Sequence, residues 1–132
     1  MIPLLRAATL CTLAWLVGCA QPPTVVPTIG LLDVAERPAE KALLAGLRAY
    51  EDAQYPVAER QLQTALQAGL VSPRDRAAAH KHLAFIFCTT GRVPACELQF
   101  RSARQADPGF VLGKSEAGHP LWGPVYLRAQ QP

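Results

Sequence analysis

The sequence predicts an all-α protein built from two helix pairs, and three observations support this fold class. Apolar residues recur at helical spacing on both sides of Gly91. A glycine between two such stripes is typical of the turn that joins antiparallel helices. The pattern also recurs 38 residues earlier, where Tyr55-Pro56 corresponds to Val93-Pro94. Because proline fits the first helical turn, the second helix of each pair should begin at the same point.

The later helix pair is predicted between Ala79 and Pro108. Its first helix carries the large-then-small pair Leu83-Ala84, with Phe87 about one turn further on. Its second helix has a narrow seam of mostly small residues, so the two helices can approach closely. The seam consists of Cys96, Phe100, Ala103 and Ala106, and its counterparts in the earlier pair are Ala58, Leu62 and Ala65.

This arrangement resembles the tetratricopeptide repeat (TPR), in which a large-small pair, a turn glycine, Ala-x3-aromatic-x2-Ala and a closing Asp-Pro follow one another. Cys96 stands where that family has Ala, and His80 where an aromatic residue is common. The resemblance implies two stacked repeats, over about residues 38–69 and 73–108. The family's period is about 34 residues, so we place the excess length in a link from Gly69 to Ser72.

Residues 1–18 have the features of a signal peptide, with Arg6 ahead of an apolar run from Ala7 to Val17. That run is too short to span a bilayer, which takes roughly 20 apolar residues. The ending Leu16-Val17-Gly18-Cys19 resembles a bacterial lipobox, which implies that Cys19 is the acylated first residue, carrying chains such as palmitate. The alternative is an ordinary secretory signal with an incidental cysteine. Ala20 favours the outer membrane, with the domain facing the periplasm, since the related lipoproteins that stay in the inner membrane have Asp there.

The mature chain from Cys19 onward has 12 Lys and Arg against 10 Asp and Glu, a formal charge of +2 with no clustered basic face. We therefore expect no nucleic-acid partner. Residues 19–36 are rich in proline and are predicted to be a semi-rigid tether. Within them, Leu31 to Glu36 forms either a helical turn over the first repeat or part of the tether. The domain is expected over 37–132, with its first helix starting at Pro38.

The region 109–132 is predicted to cap the open end of the helix stack, which would otherwise expose an apolar face. Residues 124–128 suit a short final helix. Trp122 is interpreted as part of this cap or, alternatively, as an anchor for a partner, since Trp is favoured at interface hot spots.

Cys88 and Cys96 are the cysteines expected in the mature domain besides Cys19, and they lie on facing ends of the predicted helix turn. In an oxidising periplasm such a pair can form a disulfide that clamps the turn. The alternative is two small buried apolar side chains.

The sequence does not favour an enzyme, a cofactor or a small-molecule substrate. It contains no nucleophile elbow, phosphate loop or HExxH motif, and the adjacent carboxylates Glu51 and Asp52 are expected in solvent. His80 and His82 would point about 200° apart on one helix, so they cannot share a metal ion. His119, before a proline in a Gly-rich bend, is expected to be a turn residue.

The remaining candidate site is a protein-binding groove. In TPR proteins the first helix of each repeat lines the concave face, and the resemblance places seven residues there. An apolar strip flanked by charge is typical of a groove that binds a peptide or helix. The alternative is that Leu31 to Val34 folds back and fills it. The groove residues are Leu43, Leu47, Tyr50, Glu51, Lys81, Phe85 and Thr89.

The lipobox, the tether, the two repeats and the segments RPAEKALLAGLRAYEDAQYPVAE and AGHPLWGPV together resemble the TPR lipoproteins of bacterial type VI secretion systems, the TssQ family. The resemblance implies an accessory lipoprotein that contacts protein partners in the cell envelope. The alternative function is a structural or assembly role in the outer membrane, in barrel insertion or peptidoglycan contact.

Overall fold

A computed structural model describes residues 30, 33 and 36–131, and in this part of the chain it is helical and contains no β-strand. The all-α prediction is therefore confirmed. The signal peptide, Cys19, nearly all of the tether and the segment Leu31 to Val34, apart from Asp33, lie outside the described residues. The helices are α1 (Pro38–Glu51), α2 (Tyr55–Ala68), α3 (Pro73–Thr89), α4 (Val93–Ala106), α5 (Lys114–Ala117) and α6 (Gly123–Ala129).

Proline and capping residues define where the four long helices begin. Each has a proline at its first or second position, where a missing backbone N–H costs nothing. The Ser72 hydroxyl accepts a hydrogen bond from the Asp75 N–H at 3.3 Å and so caps α3. Gly69, with φ +87°, ends α2 in the left-handed conformation that glycine adopts most readily. The local sequence signals thus predict these boundaries well.

The two hairpins, α1–α2 and α3–α4, have the same turn at positions 38 residues apart. Ala53 has φ +58° in the first turn and Gly91 has φ +76° in the second. The following N–H groups, of Gln54 and Arg92, donate to the carbonyls of Ala49 and Phe87, each at 2.8 Å. Such bonds satisfy carbonyls at the end of the first helix of each hairpin.

The predicted seams lie at the centre of the core. The six seam residues that correspond between α2 and α4 all have 0% exposure, and α1 packs on α2 as α3 does on α4. Helix α2 also packs on α3, which joins the hairpins into one core. These seam residues are Ala58, Leu62, Ala65, Cys96, Phe100 and Ala103.

A carboxylate in the same place on α2 and on α4 binds an arginine further along the chain. Glu59 accepts two hydrogen bonds from Arg92, at 2.9 and 2.7 Å, across the junction between the hairpins. Glu97 accepts one from Arg128 of α6 at 3.4 Å. The two bonds from Arg92 fix the relative orientation of the two side chains as well as adding energy, because a guanidinium can donate two parallel hydrogen bonds to one carboxylate.

Helix α6 covers the end of α4, and the predicted final helix at 124–128 is thus found at Gly123–Ala129. Val125 and Tyr126 are buried there. The Tyr126 hydroxyl accepts a hydrogen bond from the Leu112 N–H at 3.2 Å, and Arg104 donates to the Gln130 carbonyl at 2.8 Å. No helix in the described residues has the length and apolar content needed to span a membrane.

Candidate protein-binding surface

The structure brings together three of the seven predicted groove residues across α1 and α3. The ring centroids of Tyr50 and Phe85 lie 6.4 Å apart, and the Lys81 ammonium lies 5.7 Å from the centre of the Phe85 ring. Leu47 is half-buried and packs against the same core. We define the inner face as Leu47, Tyr50, Lys81, His82 and Phe85 on α1 and α3, and all of these except His82 are predicted groove residues.

The other predicted groove residues lie in the core or at the ends of the helices. Leu43 is 6% exposed and therefore belongs to the core. Glu51 and Thr89 are exposed at the carboxyl ends of α1 and α3. They lie one residue before the turns, at corresponding places in the two hairpins.

The prediction that Phe85 lines a groove open to a partner needs correction, because Trp122 of the same chain covers it. Its exposure is 3%, and the Trp122 ring stacks on it with centroids 4.3 Å apart and planes inclined by 27°. The His119 ring stacks on Trp122 at 3.4 Å. Phe85 is therefore not available to a partner in this conformation. Of the two interpretations of Trp122, the observed contacts are those of a residue that covers its own domain.

Glu116 holds Trp122 in place and pairs with Lys81. Its backbone carbonyl accepts a hydrogen bond from the Trp122 indole N–H at 2.8 Å, and its carboxylate accepts one from Lys81 at 2.8 Å. The Gly113 N–H donates to the same carboxylate at 3.0 Å. Burial alone would raise the pKa of Glu116, but the Lys81 and Gly113 hydrogen bonds lower it below its usual value.

His82 is part of the inner face, which the sequence reasoning missed because it considered this residue only as a metal ligand. Its ring meets Tyr50 edge-on at 5.1 Å, and Nδ1 lies 2.8 Å from the Ala78 carbonyl oxygen. Burial lowers the pKa of His82, since the charged form loses water. Its position three residues before Phe85, on the same helix face, was the available signal.

The other histidines have separate environments. His80 points towards α4, where its Nδ1 lies 2.7 Å from the Gln99 side-chain oxygen. His119 accepts a hydrogen bond from the Leu121 N–H at 3.2 Å, in the bend where the sequence predicts a turn residue. Among the described residues no group of three His, Cys, Asp or Glu side chains could hold a metal ion.

A disulfide joins Cys88 and Cys96 in the structure, with their Cα atoms 5.2 Å apart. It ties the last turn of α3 to the first turn of α4. The disulfide lies at the turn, and neither cysteine belongs to the inner face. Of the two interpretations of these cysteines, the structure contains the bonded one.

Comparison with known proteins identifies no relative: no protein family, no curated protein sequence and no solved structure matches the chain.

Proposed function

We propose that this chain is a membrane-anchored periplasmic protein-protein interaction module, an accessory lipoprotein of an envelope machine such as a type VI secretion system. Its helix pairs are TPR-like repeats, and Cys19 carries the lipid anchor. The lipobox resemblance supports the anchor, and the resemblance of the segments around 37–59 and 117–125 to TssQ lipoproteins supports the machine.

Matched geometry in the two hairpins supports the TPR-like assignment. Helices α2 and α4 have the same length of 14 residues, and both of their bounds differ by 38 residues. The ends of α1 and α3 differ by the same number. A stack of such units presents its first helices side by side, which gives a continuous surface for a partner.

The observation that carries the binding proposal is the inner face. Leu47, Tyr50 and His82 are half-buried side chains that pack on the core yet keep part of their surface in water. An aromatic residue with a buried body and an accessible edge is a typical interface residue. Lys81 and Glu51 place opposite charges at the border of this surface, so a partner with polar groups around an apolar centre would fit it.

An in-cell crosslinking experiment tests the binding proposal. A photo-reactive residue at Leu47 should crosslink to a specific envelope protein, which mass spectrometry identifies. A matched control is the same residue at Leu98, which is 60% exposed on α4 and not part of the inner face. Equal crosslinks from both positions, or none from Leu47, would remove the inner face as the binding surface.

The anchor and the machine are tested separately. Cys19→Ser should shift the protein from the membrane fraction to the soluble periplasm and abolish labelling with a fatty-acid probe. Secretion-system components among the Leu47 crosslinks support the proposed machine. Barrel-assembly proteins or peptidoglycan in their place would support the outer-membrane structural role and overturn the secretion assignment.

A further inference from the structure

The segment 113–122, which we call the strap, is a loop between two buried residues, Leu112 and Gly123. At one end the backbone N–H of buried Leu112 donates to the Tyr126 hydroxyl. At the other end the Gly123 N–H donates to the His119 carbonyl at 2.8 Å, and α6 follows with Val125 and Tyr126 in the core. A short loop between two buried anchors can lift while the elements at its ends stay in place.

The strap itself is held by few contacts. None of its residues is fully buried, and Leu121 is more than half exposed. Its contacts with the inner face are the Glu116–Lys81 ion pair and the stack of Trp122 on Phe85. Both members of that ion pair remain partly exposed, and such pairs contribute little to stability. Lifting the strap therefore uncovers Phe85, which belongs to the core, but removes none of the helix-helix packing within or between the two hairpins.

The surface under the strap has a defined chemistry. Removing the strap exposes the ammonium of Lys81 beside the flat ring of Phe85, next to Tyr50 and His82. Beside the strap, Lys81 also lines a cleft of about 270 Å³ together with Arg74, Asp107 and Phe110. The Lys81 cation beside the Phe85 ring matches a ligand that offers a carboxylate and an aromatic side chain.

We propose that the strap occupies the partner's place on the inner face, and that the partner inserts an acidic segment with an aromatic residue, in the manner of Glu116 and Trp122. This inference rests on the proposed binding function and names the chemistry of the ligand. Partner and strap compete for one surface. The apparent dissociation constant of the partner is therefore its intrinsic value divided by the fraction of molecules whose strap is open.

A peptide covering residues 113–124, GKSEAGHPLWGP, which contains the whole strap, is the probe. In the full chain with its strap closed, the peptide should bind weakly. Trp122→Ala removes the stack on Phe85 and should tighten peptide binding at least tenfold, as measured by fluorescence anisotropy of a labelled peptide. Equal affinities for the two proteins, with circular dichroism showing both folded, would overturn the proposal.

A charge exchange tests whether the peptide binds in the strap's orientation. Lys81→Glu in the Trp122→Ala background should abolish binding of the original peptide, and a peptide with Lys in place of the glutamate should restore it. Binding that is insensitive to residue 81 would contradict the proposal.

Gly123→Ala provides a second way to open the strap if Trp122→Ala fails to fold. A Cβ atom at this position would lie 2.5 Å from the Ala117 carbonyl oxygen, so the strap must move while Trp122 is kept. It too should tighten peptide binding. If no variant binds the peptide but Leu47 still crosslinks in cells, the proposed function stands and the inference about the strap falls.

Discussion

The two hairpins have matching backbones but are stabilised by different side chains. The first turn contains Ala53 and has no disulfide, whereas the second contains Gly91 and the Cys88–Cys96 bond. The position of Cys88 is taken in the first hairpin by Tyr50, an inner-face residue. The repeated backbone therefore fixes the shape, while the same position serves as a covalent link in one hairpin and as an inner-face aromatic residue in the other.

The largest effect is expected from removing the disulfide. Replacing Cys88 and Cys96 together by Ala should lower the free energy of unfolding by about 2–3 kcal/mol, because a bond across a separation of 8 residues restricts the unfolded chain. Urea denaturation measures the loss. Amide exchange should show faster opening at the second turn and little change at the first. Equal changes at both turns would show that the disulfide does not stabilise the second turn selectively.

The next largest effect is expected at Gly46, where α1 packs directly against Leu62 of α2. A Cβ atom here would lie 2.8 Å from Leu62 Cγ and 3.1 Å from the Leu62 backbone N. Gly46→Ala should therefore cost about 1–3 kcal/mol through overpacking. The second hairpin has Ala84 at the corresponding position, opposite Phe100, and tolerates the methyl group.

A double mutant isolates the cause. If the clash is with the Leu62 side chain, Gly46→Ala with Leu62→Ala, which removes the γ-carbon, should cost less than the two changes added together in thermal unfolding. Additive costs would place the strain at the backbone contact.

A smaller pair of effects with opposite signs is expected at the turns. Ala53→Gly should stabilise the protein by about 0.5–1 kcal/mol, because φ +58° strains a residue with a Cβ atom. Gly91→Ala should destabilise it by a similar amount. Midpoints of thermal unfolding measure both, and shifts of the same sign would show that the two turns are not equivalent.

The smallest effect is expected from pH. Burial lowers the pKa of His82 in the folded protein, so below the unfolded value of about 6.5 the unfolded chain binds a proton that the folded one does not. Stability is then full above about pH 6.5 and falls from there towards the lowered pKa. Lys81 disfavours the His82 charge, whereas Glu116 and Glu51 favour it, so burial decides the direction.

His82→Gln is the matched variant for the pH measurement. Its stability from urea midpoints should change less than that of the wild type between pH 7 and 5. Glu116 contributes in a different window, because its lowered pKa means that its contribution is lost only as pH falls through the carboxylate range. An unchanged slope in His82→Gln would assign the acid sensitivity to another group.

Local signals in the sequence predict the helix ends and the buried seams. These signals are the prolines at 56 and 94, the glycines near the helix ends and the 38-residue recurrence. Each can be recognised within a few residues or by aligning the sequence with itself. The strap could not be predicted in this way. Its Glu116–Lys81 pair spans 35 residues, and its sequence has neither periodicity nor a long helix. The cap was therefore predicted as a covering of the stack's end, but its extension over Phe85 was not.

The ion pairs Glu59–Arg92 and Glu97–Arg128 have a consequence for the size of the domain. The same carboxylate holds the next hairpin in one case and the terminal helix in the other. A gene duplication that copied one 38-residue unit would therefore also copy the residues that pair it with its neighbour. The stack would then grow by one hairpin at a time, with α6 still covering the last hairpin.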